Sequence, residues 1–112
     1  MSIQHKELAN GRWNELSLTE QLANVGSEVE RTMSWKKKGN AEYSRMAFER
    51  ALELLDLSLG DQKNFARLRE IARVREGLVD YFLAKNEYAS SDEIWKKYFY
   101  AFTFAARLRK GV

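Results

Sequence analysis

An all-α fold, an antiparallel up-down-up-down four-helix bundle with a short N-terminal arm, is what this 112-residue sequence predicts. Apolar residues recur every three or four positions in four stretches, which is the period of a helix face. Glycine or asparagine marks the three breaks, at Gly39-Asn40, Gly60-Asp61 and Lys85-Asn86, where such residues stop or start helices. Proline, which would break a helix interior, is absent. The expected division is an arm over residues 1–16 and one four-helix domain over 17–112.

The arm has little periodicity. Ile3, Leu8, Trp13 and Leu16 are apolar, Asn10-Gly11 is a turn signal, and Trp13 with Leu16 are expected to pin the arm to the bundle. The first helix starts at Ser17, where Ser17 and Glu20 form a capping box. Leu18, Leu22, Val25, Val29 and Met33 line its apolar face. Lys36, Lys37 and Lys38 suit the negative end of the helix dipole, and Gly39 ends it. Gly26 interrupts the middle at a cost of roughly 1 kcal/mol relative to Ala, so a neighbouring helix is expected to cross closely there.

The second helix runs from the N-cap Asn40 to Gly60. Its charged strip (Glu42, Arg45, Glu49, Glu53, Asp56) is narrow and its apolar surface wide, which predicts a central position or a partner's cover. Gly60-Asp61 is a stop followed at once by a start. The third helix is expected to carry Phe65, Leu68, Ile71, Ala72, Leu78, Val79 and Phe82 inward and to end near Lys85-Asn86. The fourth is expected to begin at Ser90, capped with Glu93. From Ile94 to Leu108 its apolar groups go nearly all round, and only Lys96, Thr103 and Arg107 mark a polar strip. One small chain cannot bury two such helices, so a second subunit is expected over the second and fourth.

Composition narrows the functional classes. Apolar residues make up 45% and charged residues 31%, ordinary for a globular domain. A chain this long buries roughly two-thirds of its unfolded surface without staples. The lack of cysteine excludes disulfides and thiolate metal sites and fits a reducing compartment. No apolar run approaches the ~18–20 residues that span a bilayer, and Met1–Leu8 lacks the apolar middle of a signal peptide. A cytoplasmic location without membrane contact is the expectation. Net charge is +3, mild for a dedicated nucleic-acid binder.

Arg75 is the most unusual residue by position. On a continuous third helix it falls in the middle of the apolar face, where a guanidinium needs a partner. Glu28 of the first helix is the partner expected, and an anion site in an internal cleft is the alternative. Trp35, Tyr43, Met46, Leu57, Trp95, Phe99 and Tyr100 are the candidate oligomer interface, since aromatic residues at helix edges enrich interfaces. Lys96, Arg107, Arg109 and Lys110 are the candidate nucleic-acid contacts, although positive charge at a helix C-terminus also serves the dipole.

Catalytic, metal and cofactor sites are not expected. The only histidine, His5, has no companion ligands. The carboxylates of the second helix are interrupted by Arg45 and lack the Glu-x-x-His pattern of di-iron bundles. No phosphate loop or nucleophile elbow is present. In size and mild basicity the chain is similar to small HEPN bundles and to the accessory proteins of diversity-generating retroelements, a likeness of architecture without a shared motif. Active HEPN proteins carry an Arg shortly before a His, and no Arg precedes His5. That likeness implies RNA contact, whereas fold alone does not carry function. The leading expectation is a non-enzymatic protein-interaction or assembly module, a homo-oligomer; the alternative is an accessory RNA- or DNA-binding bundle.

Overall fold

The computed structural model describes residues 11–110, with only the backbone of Lys110 at the end. His5, Ile3 and Leu8 lie outside the described residues. Within them the chain is all helical: α1 (Leu18–Lys37), α2 (Ala41–Leu59), α3 (Leu68–Leu83) and α4 (Asp92–Lys110), with short 3-10 turns at Arg12–Glu15 and Gln62–Arg67. Helix α1 packs against α2 and α4, and α2 also packs against α3, forming a helical bundle. No described helix is long and apolar enough to cross a membrane.

The local signals act where the sequence puts them. Ser17 Oγ accepts the Glu20 amide at 3.1 Å and Glu20 Oε1 accepts the Ser17 amide at 3.0 Å, so the capping box forms in both directions. Such a cap typically contributes ~1 kcal/mol. Gly39 takes a left-handed φ of 79° after α1, and Asn40 Oδ1 then caps α2 by accepting the Tyr43 amide at 2.9 Å. Leu22, Val25, Val29 and Met33 of α1 meet Phe48, Ala51, Leu54 and Leu55 of α2 in the core, joined by Ile71, Val74 and Leu78 of α3 and by Trp95 and Phe99 of α4. Each such side chain contributes about 1.5–3 kcal/mol when fully buried.

The N-terminal turn is held by a buried polar network as well as by apolar packing. Trp13 is buried, and its indole N–H donates to Ser58 Oγ at 3.0 Å. Gln21 Nε2 donates to the Trp13 carbonyl at 3.0 Å and to Asp61 Oδ2 at 2.8 Å. Asn64 Nδ2 donates to Gln21 Oε1 at 2.8 Å and to the Ser58 carbonyl at 3.0 Å. Burial alone would raise the Asp61 carboxyl; hydrogen bonds from the Lys63 and Gln21 side chains outweigh it and hold Asp61 below the usual carboxylate range. The network clasps the first turn to the α2–α3 connection.

The third and fourth helices differ from expectation. Asp61 starts a 3-10 turn rather than an α-helix, its side chain accepting the Lys63 amide. Phe65 lies in that turn and is 79% exposed, and Ala72 is also exposed. The buried side of α3 is Ile71, Val74 and Leu78. Helix α3 ends at Leu83, and the chain then folds around the Asp80 carboxylate, which accepts the amides of Glu87 at 2.8 Å and Tyr88 at 3.1 Å. Helix α4 begins at Asp92, and its cap is Ser91, whose Oγ accepts the Ile94 amide at 3.2 Å. Ser90 instead donates its amide to Asn86 Oδ1 at 2.8 Å, so the expected Ser90–Glu93 box is replaced.

Candidate functional site

Helix α4 has two apolar sides, and only one is covered. Its inner side carries Trp95 and Phe99, both buried, with Tyr98 and Phe102 packed beside them. Two glycines make room for it. A Cβ built on Gly26 of α1 would lie 2.7 Å from Phe99 Cβ, and one on Gly77 of α3 would lie 3.0 Å from the Trp95 ring. The glycines let α4 seat its two buried rings, Phe99 and Trp95, against helices on either side. Its outer side faces water: Ile94 is 54% exposed, Tyr100 61%, Phe104 50% and Leu108 56%. The Tyr100 and Phe104 rings stack with centroids 6.2 Å apart.

The expected oligomer set therefore divides. Tyr43, Met46 and Tyr100 are exposed. Trp35 is half-buried, with the Tyr43 ring edge-on at 4.9 Å and the Lys38 ammonium 4.9 Å from its centroid. Leu57 is half-buried against the core. Trp95 and Phe99 are corrections: both belong to the core, because the glycines at 26 and 77 open the space that their rings fill.

The expected Arg75–Glu28 pair does not form. Arg75 lies at the edge of α3, its side chain 35% exposed, and its Nε donates to Asp56 Oδ1 of α2 at 2.8 Å. Glu28 is the buried member, 7% exposed at its side chain, and takes Arg31 Nη1 at 3.0 Å and Arg50 Nε at 3.2 Å. Of the two residues expected to pair, the buried one is thus the carboxylate on α1, held by an arginine from α2. Arg75 sits off-centre because the inner side of α3 runs through Val74 and over Gly77, where Trp95 packs.

The candidate nucleic-acid residues do not share one face. Lys96, Arg107 and Arg109 are exposed; the side chain of Lys110 lies outside what is described. At ~100° per residue Lys96 and Arg107 point to the same side, roughly 16 Å apart along the axis. Arg109 points about 200° away from Arg107 by the same geometry. They form two separated positive points on one side and a third on the other.

A cleft of about 780 Å³ opens between α3 and α4, lined by Val74, Gly77, Ile94, Trp95 and Tyr98 together with Arg69 and Arg73. Trp95 Nε1 and Tyr98 OH are buried there without a hydrogen-bond partner. Burial, with the nearby Glu70 carboxylate, pushes the Tyr98 hydroxyl up to about 12. No group of three or more His, Cys, Asp or Glu side chains that could hold a metal ion occurs among the described residues.

Neither a protein-family model, nor a curated protein, nor a solved structure matches this chain.

Proposed function

We propose that this protein is a non-enzymatic protein-interaction or assembly module that associates with copies of itself, built as an up-down-up-down bundle and working in the cytoplasm. The observation that carries the reading is the outer side of α4, where Ile94, Tyr100, Phe104 and Leu108 stand half or more exposed on one helix. Monomeric proteins rarely leave large contiguous apolar patches in water, and patches that persist mark interaction sites. Tyr43 and Met46 add exposed apolar area on α2. The alternating topology is supported by the short connections: Lys38, Gly39 and Asn40 join α1 to α2, and the Asp61-capped turn joins α2 to α3.

The nucleic-acid alternative has less support, because the basic residues of α4 diverge around the helix rather than forming a stripe. Light scattering on a sizing column separates the two readings. An assembly through apolar surface survives high salt, whereas nucleic acid bound by lysines and arginines is released steeply as salt rises. A monomer at every concentration tested contradicts the assembly reading.

A further inference from the structure

The outer side of α4 has a regular seam. Ile94, Lys97, Ala101, Phe104 and Leu108 are alternately three and four residues apart, the spacing of a and d positions in a coiled coil. All five are exposed. The seam is nearly symmetric about its middle. Ala101, its smallest residue, has Ile94 and Leu108 seven residues to either side. The charge is oppositely arranged, with Asp92 and Glu93 at one end and Arg107 and Arg109 at the other.

We infer that two copies of this chain pair through α4, antiparallel, with the two-fold axis passing beside Ala101. The inference rests on the assembly reading and specifies its partner and geometry. A two-fold interface uses the same patch on both subunits, so that patch must complement itself. Reversing the seam about Ala101 sets Ile94 against the partner's Leu108 and brings Glu93 within reach of the partner's Arg107, which lies on the same flank of the seam. A parallel pairing would instead oppose Lys97 to the partner's Lys97 within the seam, and like charges across an interface disfavour a pairing. Alanine at the crossing lets the backbones approach closely, with Phe104 and Tyr100 closing the flanks. The seam from 94 to 108 is roughly 21 Å long, so it buries less than a large obligate interface and suits a reversible dimer.

The absence of cysteine gives a direct test by single-cysteine crosslinking under mild oxidation, alongside sedimentation equilibrium. Ala101→Cys is expected to crosslink with itself, since a residue beside a two-fold axis meets its own copy. Ile94→Cys and Leu108→Cys are each expected to stay uncrosslinked alone and to crosslink when mixed. Ala101→Glu places two carboxylates at the crossing and is expected to weaken the dimer at least about tenfold, as like-charge juxtaposition does at interfaces. Glu93→Arg is expected to weaken it as well, and adding Arg107→Glu to restore it. All these positions are exposed, so circular dichroism and melting of the variants should match the parent. Self-crosslinking of Ile94→Cys would overturn the antiparallel register. A dimer indifferent to Ala101→Glu would overturn the α4 pairing while leaving self-assembly standing. A parent chain that is monomeric throughout would overturn both.

Discussion

Phe99 occupies the space that a side chain at Gly26 would need: a Cβ built on Gly26 would lie 2.7 Å from the Phe99 Cβ. This contact sets how close α4 can come to α1. Gly26→Ala gains helix propensity, roughly 1 kcal/mol, yet the atom it meets is fixed close to the α4 backbone and cannot swing aside. We expect a net loss of about 1–3 kcal/mol, the usual range for overpacking, read by urea denaturation. Gly77→Ala meets the rim of the Trp95 ring at 3.0 Å, which gives more easily, and should cost less. A Gly26→Ala protein as stable as the parent would show that α4 is not seated as described.

Asp61 links stability to acid. Its carboxyl lies below the ordinary value of 3.8 in the folded chain. A lowered folded pKa contributes stability that is complete above the unfolded value and is lost as pH falls through the folded one. Asp61→Asn should flatten the loss of stability below about pH 4, the unfolded carboxylate range. It should also cost about 1–3 kcal/mol at neutral pH by leaving buried donors short of an acceptor. Melting temperature followed against pH for both proteins checks the two effects together.

Glu28 and Arg75 should differ in how strongly they respond to neutral replacement. Arg75→Met removes a partly exposed pair with Asp56 and should change stability by no more than about 1 kcal/mol, as surface ion pairs do. Glu28→Gln removes the charge and leaves one acceptor oxygen where two serve Arg31 and Arg50, and should cost about 1–3 kcal/mol. Chemical denaturation ranks them; a larger effect at Arg75 would contradict the assignment of the buried charge to Glu28.

Ala89 has a φ of 53° in the α3–α4 connection, a left-handed conformation in which a Cβ costs roughly 1–2 kcal/mol. Ala89→Gly should stabilise the protein by up to about 1 kcal/mol, because the relief of the Cβ is partly offset by the greater freedom of glycine when unfolded. A destabilised variant would argue against this loop conformation.

The helical architecture was legible in the sequence, and so were some of its contacts. Ser17 and Glu20 announced their capping box, and Gly26 announced a close crossing, because each signal is local. The inner side of α3 was not legible. Gly77 adds nothing to an apolar pattern, although Trp95 packs on it, so the pattern favoured the flank through Ala72 and Val79 and put Arg75 at its centre. Phe65 belongs to a 3-10 turn, whose direction a helical period does not set. Helix α4 is apolar on so many sides that its sequence fixes no phase; Trp95 and Phe99 could be read as interface until Gly26 and Gly77 were seen to receive them. The Trp13–Ser58–Gln21–Asp61–Asn64 network joins residues far apart in the chain, and only tertiary packing brings them together.

Whether the outer side of α4 is an assembly surface is decided by light scattering on a sizing column at low and high salt, with ultraviolet absorbance to detect nucleic acid. We expect a particle of at least two chains, free of nucleic acid, that persists in high salt and falls to a monomer on Ala101→Glu. A monomeric parent chain, or a particle whose nucleic acid is stripped away by salt, would contradict it.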